Sequence, residues 1–358
     1  MAVKVLVVDD SAMIRQLLTE LLGEDPRLRV VGTAQDPYQA RELIKALKPD
    51  VITLDVEMPR MDGLTFLDHL MRLHPMPVVM VSSLTQVGAD AALRALELGA
   101  VDVVAKPQVG LAQGLREAAE RLRQAVVTAA AARLPSRTKA PIRRAQPLSL
   151  STDFFFVLGA STGGTEALHD VITALPPDAP GVVVVQHIPP MFSRTFAERL
   201  DRSSAVRVGE AFDGARVATG QVWIAPGGVQ LRIRRDGARY VCRLGEDVRV
   251  NGFAPSVDVL FDSAAEAAGG NLAAALLTGM GDDGARGLKR LRQAGGFTCA
   301  QDEASSVVWG MPGAAVKLDA ADAVLPLSQV ADRLMDAARR HVARLNASSR
   351  AVAGRYAV

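Results

Sequence analysis

Residues 3–11 read Val-Lys-Val-Leu-Val-Val-Asp-Asp-Ser, a largely apolar run that ends in two carboxylates and a hydroxyl. Such a run is typical of a strand buried on both faces of a parallel sheet. Ser11 can cap a following helix, whose apolar residues share one face at Ile14, Leu17, Leu18, Leu21 and Leu22. The stretch therefore predicts a strand, a polar turn and an amphipathic helix, the first unit of an α/β domain.

The same alternation continues to about residue 132. Apolar runs predict four more strands, near 29–34, 50–54, 77–81 and 101–104. Amphipathic patterns predict further helices, near 37–47, 62–73, 88–98 and 111–132. Five strands that alternate with helices indicate a doubly wound α/β domain of the flavodoxin-like kind.

A second α/β pattern begins near Phe154. Apolar runs predict its strands, at 154–158, 182–186, 221–225, 272–278 and 297–300. Helical patterns lie at 164–174, 256–268, 284–294 and 328–345. We expect a Rossmann-like parallel sheet with a small antiparallel excursion at 206–250, where short runs are separated by glycine-containing turns. Between the two patterns, Pro135, Pro141 and Pro147 stand among four basic residues and no acidic one, which is typical of an exposed linker.

The composition limits the class of protein. A chain of 358 residues suggests about two domains, and a hydrophobic content of 49% can fill two cores. The net charge of +2 argues against a strong general attraction to nucleic acid. Cys242 and Cys299 form neither a metal-binding spacing nor a disulfide framework. With no visible signal peptide and no membrane-spanning run, we expect a soluble, cytoplasmic protein.

Charged and hydroxyl side chains follow the strands of the first pattern, namely Asp9, Asp10, Asp55, Ser82 and Lys106. Because the carboxyl ends of parallel strands meet in one crevice, we expect these side chains to lie together. Three carboxylates offer the oxygen ligands that suit Mg²⁺. A hydroxyl and an ammonium group beside Asp55 could stabilise a phosphoryl group on its carboxylate. Each piece alone is common in caps and turns, so the prediction of a phosphoacceptor site rests on their order.

With these residues, positions 1 to about 125 resemble the receiver domain of two-component response regulators. The resemblance is carried by the segments at 7–11, 55–59, 62–63 and 106–107. It implies that Asp55 accepts phosphate from a histidine kinase and that Ser82 is the switch hydroxyl, with the adjacent Ser83 as the alternative. It also implies a Mg²⁺ site made by Asp10, Asp55 and the backbone carbonyl of Glu57, with Asp9 in support.

A second reactive set follows strands of the second pattern. Gly159-Ala160-Ser161-Thr162-Gly163 joins a strand to a helix, a context in which a G-x-S-x-G turn can project a serine. His187 and Asp283 follow two further strands. A hydroxyl, a base and a carboxylate at strand ends are the parts of a serine hydrolase. The same glycine-rich turn could instead hold a nucleotide, although its spacing departs from G-x-G-x-x-G.

Residues 154 to about 345 resemble the catalytic domain of the chemotaxis protein-glutamate methylesterases. Six segments carry this resemblance, at 159–166, 186–190, 193–200, 225–228, 255–258 and 277–284. It implies a catalytic triad of Ser161, His187 and Asp283. It also implies that the amides of Thr162 and Met280 are candidates for the oxyanion hole. Asp282 stands where the family usually has Asn, and it would either raise the basicity of His187 or point to solvent.

Together, the two resemblances imply a phosphorylation-activated enzyme that hydrolyses glutamate γ-methyl esters on chemoreceptors and releases methanol. Its expected partners are methylated cytoplasmic receptor helices and a chemotaxis histidine kinase, with no nucleic acid and no membrane insertion. Ester hydrolysis should need no cofactor. Deamidation of receptor glutamines, which the family can perform, is left open. The implied organisation is a receiver (1–127), a linker (128–152), a catalytic domain (153–346) and a flexible tail (347–358).

Two other functions remain as alternatives. The second half could be a non-catalytic adaptor that binds receptors or a nucleotide under the control of the receiver. A DNA-binding regulator is disfavoured, because the second half lacks a basic recognition helix and its charges balance. In the favoured reading, the receiver covers the triad until Asp55 is phosphorylated.

Overall fold

The structure, a computed structural model, describes residues 2–82, 86–106, 112–134 and 153–355. The chain divides into two compact units, Met1–Ser136 and Arg137–Val358. Both units are α/β folds built on a parallel sheet, as the two sequence patterns predicted. Most of the predicted linker, together with Ser83 and Pro107, lies outside the described residues.

The first unit is built on a five-stranded sheet. Its strands are β1 (Val3–Val8), β2 (Leu28–Ala34), β3 (Val51–Asp55), β4 (Val78–Ser82) and β5 (Asp102–Ala105). Its helices are α1 (Ala12–Gly23), α2 (Pro37–Leu47), α3 (Gly63–Leu73), α4 (Gln86–Glu97) and α5 (Ala112–Ala131). All pairs are parallel in the order β2-β1-β3-β4-β5, so the topology switches direction between β1 and β3.

Side-chain caps start the first three helices of this unit. Ser11 accepts a hydrogen bond from a backbone N–H in the first turn of α1, and Asp36 and Asp62 do the same for α2 and α3. Each cap satisfies a donor that the helix itself leaves unpaired. The cap of α1 lies directly after Asp9 and Asp10, and the cap of α3 lies in the loop that follows Asp55.

The second unit has a larger main sheet and a separate strand pair. The strands of this unit are β6 (Phe155–Ala160), β7 (Gly181–Gln186), β8 (Arg207–Glu210), β9 (Gln221–Ile224), β10 (Leu231–Asp236), β11 (Arg239–Leu244), β12 (Leu272–Leu276), β13 (Phe297–Gln301) and β14 (Ala323–Leu325). Its helices are α6 (Gly164–Thr173), α7 (Pro190–Ser203), α8 (Val257–Ala268), α9 (Ala285–Gln293), α10 (Met311–Lys317) and α11 (Leu327–Arg355). Seven strands pair in the order β14-β13-β12-β6-β7-β9-β8, all of them parallel, and the switch lies between β6 and β12.

The predicted antiparallel excursion is right in one part and wrong in another. β10 and β11 form a separate antiparallel pair. β8, in contrast, pairs in parallel with β9 and forms an edge of the main sheet. Only Val208 of β8 is fully buried, so this short edge strand has no apolar run that would reveal it in the sequence.

Some helix ends also differ from the sequence prediction. α11 continues to Arg355, beyond the end predicted near residue 345. α5 ends at Ala131, in agreement with the helix predicted at 111–132, so residues 128–131 at the start of the expected linker are helical. Residues 128–131 include three alanines, the residue with the highest helix propensity. α7, α10 and β14 were not predicted.

Aromatic and aliphatic side chains fill the core of the second unit. Phe155 and Phe261 are fully buried in one cluster where α8 packs near β6. Phe156, also fully buried, contacts Phe154. Cys242 and Cys299 are both buried and unpaired, and burial raises the pKa of each thiol to about 12. Over the described ranges of the chain, no helix combines the length and apolar character needed to cross a membrane.

Candidate functional site

The serine, histidine and aspartate singled out in the sequence lie at one edge of the second sheet. Ser161 follows β6, His187 follows β7, and Asp283 lies in the loop between β12 and α9. β7, β6 and β12 are neighbours in the sheet, and the topology switches between β6 and β12. Because parallel strands of a doubly wound sheet open a crevice at this point, the fold brings the three side chains together.

The three side chains form a hydrogen-bonded series. His187 Nδ1 lies 3.1 Å from Ser161 Oγ, and His187 Nε2 lies 2.8 Å from Asp283 Oδ2. The side chains of His187 and Asp283 are only 4% and 1% exposed. An ionised Asp283 can only accept, so Nε2 carries the proton and Nδ1 presents its lone pair to the serine hydroxyl. The arrangement is that of a nucleophile, a base and an orienting acid.

Asp283 is surrounded by hydrogen-bond donors. Oδ2 accepts from His187 Nε2 and the Val257 N–H, and Oδ1 accepts from Asn251 Nδ2, Ser256 Oγ and the Asp258 N–H. Two of these donors are backbone groups in the first turn of α8, where the helix dipole favours a negative charge. Burial raises the pKa of Asp283, but the hydrogen bonds from His187, Asn251 and the Val257 N–H outweigh it and lower the pKa to about 2. The acid is therefore ionised throughout the neutral range.

Two glycines allow the backbone segments around the triad to approach closely. A Cβ on Gly159, in β6, would lie 2.3 Å from a methyl carbon of Val257. A Cβ on Gly279, in the loop after β12, would lie 2.7 Å from Cβ of Ser161. Both distances are shorter than any real contact, so neither position has room for a larger residue in this packing.

The backbone around Ser161 limits the choice of oxyanion donors. The N–H of Ser161 donates to the Thr278 carbonyl at 3.0 Å and is therefore already used. Thr162 is buried just before α6, and its carbonyl accepts from the Thr278 hydroxyl at 3.0 Å. The amides of Thr162 and Met280 remain our candidates for binding an oxyanion.

The acidic cluster of the first unit also forms in the structure. Asp9, Asp10 and Asp55 each offer one oxygen within 4.8 Å of the others. Lys106 Nζ lies 2.8 Å from Asp55 Oδ2 and 3.1 Å from Asp9 Oδ2. The Lys106 ammonium group thus pairs with the two buried carboxylates of a cluster of three.

This cluster suits a divalent cation. Burial raises the pKa of Asp55 to about 6, and the charge of Asp9 adds to the rise, while Lys106 opposes it. A hard cation would relieve the excess negative charge, and carboxylate oxygens are the ligands that Mg²⁺ prefers. The residues present therefore fit Mg²⁺. Over the described ranges, this is the one cluster of potential ligand side chains with such a geometry.

Two further residues of the predicted phosphoacceptor site lie at the same edge. The N–H of Glu57 donates to Asp55 Oδ1 at 3.2 Å, which places the Glu57 backbone next to the Asp55 carboxylate. The Ser82 side chain is buried, and its hydroxyl donates to the Gly88 carbonyl at 3.3 Å. Ser83, the alternative switch hydroxyl, lies outside the described residues.

Comparison with known proteins identifies the family. Residues 5–120 match the model of the response regulator receiver domain, and residues 156–334 match that of the CheB methylesterase. A protein from Hahella chejuensis, named "Protein-glutamate methylesterase/protein-glutamine glutaminase 1", is 58% identical, and the alignment covers 92% of this chain and 94% of that protein. The chain belongs to the CheB methylesterase family.

Another relative and a solved structure agree with this assignment to the CheB methylesterase family. A Pseudomonas aeruginosa protein, "Protein-glutamate methylesterase/protein-glutamine glutaminase 2", is 57% identical over 95% of this chain and 98% of its own length. The crystal structure of the Thermotoga maritima CheB methylesterase catalytic domain is 37% identical and matches with a TM-score of 0.51. It covers 52% of this chain and 99% of that domain.

Asp282, the position that departs from the usual CheB methylesterase motif, points to solvent. Its side chain is 61% exposed and forms an ion pair with Arg286 at 3.2 Å. Of the two possibilities raised by the sequence, the structure therefore supports the solvent-facing one.

Two residues next to Ser161, His187 and Asp283 were not predicted from the sequence. The Phe253 ring stacks on the His187 ring, with 3.7 Å between centroids and 4° between planes. Asn251 donates to Asp283 and also to Asp258, at 2.8 Å in each case. The Asn251-Gly252 dipeptide signals a tight turn, but nothing in the sequence links that turn to His187.

Proposed function

We propose that the second unit hydrolyses γ-methyl esters of glutamate on the cytoplasmic helices of chemoreceptors and releases methanol. The observation that carries this proposal is the series Ser161, His187 and Asp283, with contacts of 3.1 and 2.8 Å. The names of the 58% and 57% identical relatives supply the substrate class.

The geometry supports a two-step mechanism. His187 Nδ1 takes the proton of Ser161 Oγ as the oxygen attacks the ester carbonyl, and Asp283 stabilises the imidazolium through Nε2. The amides of Thr162 and Met280 are proposed to bind the oxyanion of the tetrahedral intermediate. The intermediate collapses, methanol leaves with the proton from His187, and an acyl-enzyme remains. Water, deprotonated by His187, then cleaves the acyl-enzyme and leaves glutamate on the receptor.

The same triad can also act on a glutamine side chain. His187 would then protonate a leaving ammonia instead of methanol, and the acyl-enzyme would be identical. The relatives' names include this glutaminase activity. We therefore propose deamidation as a slower second reaction of the same site.

We further propose that the first unit controls the second. Asp55 would accept a phosphoryl group from a histidine kinase, with Lys106 balancing its charge, and Asp9, Asp10, Asp55 and the Glu57 carbonyl would hold Mg²⁺. When bound, Mg²⁺ neutralises negative charge during phosphoryl transfer. Phosphorylation would favour an arrangement of the chain in which receptor helices reach Ser161, because the two arrangements bind the phosphoryl group unequally.

The test is methanol release from receptor membranes that carry labelled methyl esters. The wild-type chain should release methanol, and Ser161→Ala should lower the rate by on the order of 10⁴-fold or more. Ser203→Ala is the matched control, because Ser203 is exposed at the end of α7 and should leave the rate unchanged.

Absence of methanol release from folded wild-type protein, with receptors of its own system, would contradict the esterase proposal. The adaptor hypothesis would then be the better account. Equal release by wild type and Ser161→Ala would contradict the assignment of the nucleophile.

A further inference from the structure

A tight turn at residues 250–253 lies against the triad. Val250 and Phe253 exchange two backbone hydrogen bonds of 2.9 Å, which close the turn around Asn251 and Gly252. Both central residues have positive φ, +54° and +85°. This is the pattern of a type I′ turn, in which Asn-Gly is the preferred pair. We refer to these four residues as the 250–253 turn.

Phe253 covers one face of the catalytic imidazole. The two rings are nearly parallel, with 4° between their planes and 3.7 Å between their centroids. A ring at this distance blocks rotation of the imidazole out of its plane and keeps water from that face. It also offers a π-face to the imidazolium that forms when His187 takes the serine proton. Stacking thus favours the orientation in which one ring nitrogen faces Ser161 and the other faces Asp283.

Asn251 bridges two buried carboxylates. Its Nδ2 lies 2.8 Å from Asp283 Oδ1 and 2.8 Å from Asp258 Oδ2, so the two protons of its amide have separate acceptors. Burial raises the pKa of Asp258, and the charge of Asp283 adds to the rise, whereas the Gly287 N–H and Asn251 oppose it. Without the Asn251 amide, the two carboxylates would repel each other directly, and Asp283 would lose one of the bonds that orient it.

The turn is anchored to the start of α8. The Gln230 amide donates to the carbonyls of Phe253 and Val248, at 2.9 Å each, and its oxygen accepts from the Ser256 N–H at 2.9 Å. Gln230 is only 1% exposed. Ser256 in turn donates to Asp283 at 2.8 Å. The 250–253 turn and the orienting acid are therefore held by the same buried residue and the same helix end.

We propose that the 250–253 turn is a positioning element of the triad. Phe253 fixes the plane of the His187 ring, and Asn251 fixes the Asp283 carboxylate. This inference rests on the proposed serine-hydrolase function and adds two residues to it. Phe253 and Asn251 are positioning residues, since each acts on the reaction through a member of the triad.

The test measures how fast Ser161 of the full-length chain reacts with a small fluorophosphonate. In that reaction Ser161 Oγ bonds to phosphorus, fluoride leaves, and His187 takes the proton, so the rate reports activation of the serine without receptor binding. Phe253→Leu should slow labelling and lower kcat for methanol release by about 10- to 100-fold, with KM within about two-fold. Phe253→Tyr, which keeps a flat ring, should restore most of both rates.

Asn251→Gly tests the second contact. Glycine accepts the positive φ of this position, so the turn is kept and only the amide is lost. We expect slower labelling, by about ten-fold, because Asp283 is held less firmly. Phe212→Leu is the matched control for loss of an aromatic ring, since Phe212 is 57% exposed and contacts Trp223. It should label like the wild type.

The outcomes separate this inference from the proposed function. Labelling of Phe253→Leu and Asn251→Gly at the wild-type rate would overturn the positioning role and leave the esterase proposal intact. Equal slowing in Phe253→Leu and Phe253→Tyr, in step with equal losses of thermal stability, would also overturn it, because the effect would then be one of folding. Absence of labelling at Ser161 in the wild type, compared with Ser161→Ala, would overturn the proposed function and the inference with it.

Discussion

Asp282 and Asp283 are neighbours in the chain but have opposite environments. Asp283 is 1% exposed and accepts hydrogen bonds from the triad histidine and from the start of α8. Asp282 is 61% exposed and pairs only with Arg286 among the partners that the structure describes. The loop between β12 and α9 turns one carboxylate inward and the other to solvent. We therefore expect the negative charge of Asp283 to be important for catalysis and that of Asp282 to have little effect.

Substitution of these two residues tests that difference. Asp283→Asn should lower kcat for methanol release by roughly 10⁴-fold, because an amide cannot select the tautomer with its proton on Nε2. Asp282→Asn should change kcat by no more than about two-fold, as is usual for an exposed residue. Methanol release at saturating substrate measures both. Similar losses in the two variants would contradict the assigned roles.

Asp283 should also make stability depend on pH. Its pKa is lowered from 3.8 to about 2 on folding, so its carboxylate stabilises the fold above pH 3.8, and this contribution is lost as the pH falls through 2. The full contribution is on the order of 2 kcal/mol, and about half of it should be lost at pH 3.

Urea unfolding of wild type and Asp283→Asn measures this effect. The difference in free energy of unfolding between the two proteins should shrink as the pH falls from 5 to 4 and again from 4 to 3. A difference that stays the same down to pH 3 would show that the pKa of Asp283 is not lowered in the fold.

The reactive residues lie at the ends of helices and strands. Parallel strands deliver Ser161, His187 and Asp283 to one edge, and the start of α8 directs backbone N–H groups at Asp283. The first unit does the same with Asp9, Asp55 and Lys106. Where strands carry long apolar runs, the sequence predicted them well. β8 has no such run and was assigned wrongly, because its place in the sheet depends on β9.

The short connection between β3 and α3 is expected to be sensitive to added volume. A Cβ on Gly63 would lie 1.9 Å from the Asp55 carbonyl oxygen, a backbone atom that cannot move aside cheaply. Gly63→Ala should lower the free energy of unfolding by about 1–3 kcal/mol and slow phosphate uptake at Asp55. Calorimetry and transfer of labelled phosphate from a small phosphodonor measure these effects.

Gly23→Ala is the matched control for that prediction. Gly23 is the last residue of α1, and an added Cβ there would meet no atom within 4 Å. Because alanine favours a helix more than glycine does, this variant should be as stable as the wild type or slightly more so. Equal losses in the two variants would contradict the steric argument.

At the level of the whole chain, two parallel sheets each carry one reactive edge. The acidic cluster lies where β1 and β3 end, and the triad lies where β7, β6 and β12 end. Each edge is complete within its own unit. In the proposed control, the acidic cluster therefore regulates a triad that is already complete. Loss of this control should leave the hydrolytic reaction itself intact.

Loss of the phosphoacceptor should remove that coupling and spare the hydrolysis. A small phosphodonor with Mg²⁺ should raise methanol release by the wild type, and removal of Mg²⁺ should abolish the rise. Asp55→Asn should show no rise and should keep the basal rate, because the triad is untouched. A donor-dependent rise that persists in Asp55→Asn would contradict control through Asp55.

Most helices and strands of this protein, and the residues of both candidate sites, could be predicted from local sequence patterns. Apolar runs marked most of the strands, and side chains that follow them marked both sites, because the carboxyl ends of the strands in a parallel sheet converge on one edge. The roles of Phe253, Asn251 and Asp282 could not be inferred in this way. Each depends on the path of a loop and on contacts with residues distant in the chain, such as His187. Local propensities do not encode such contacts, which arise only when the packed core brings separate segments together.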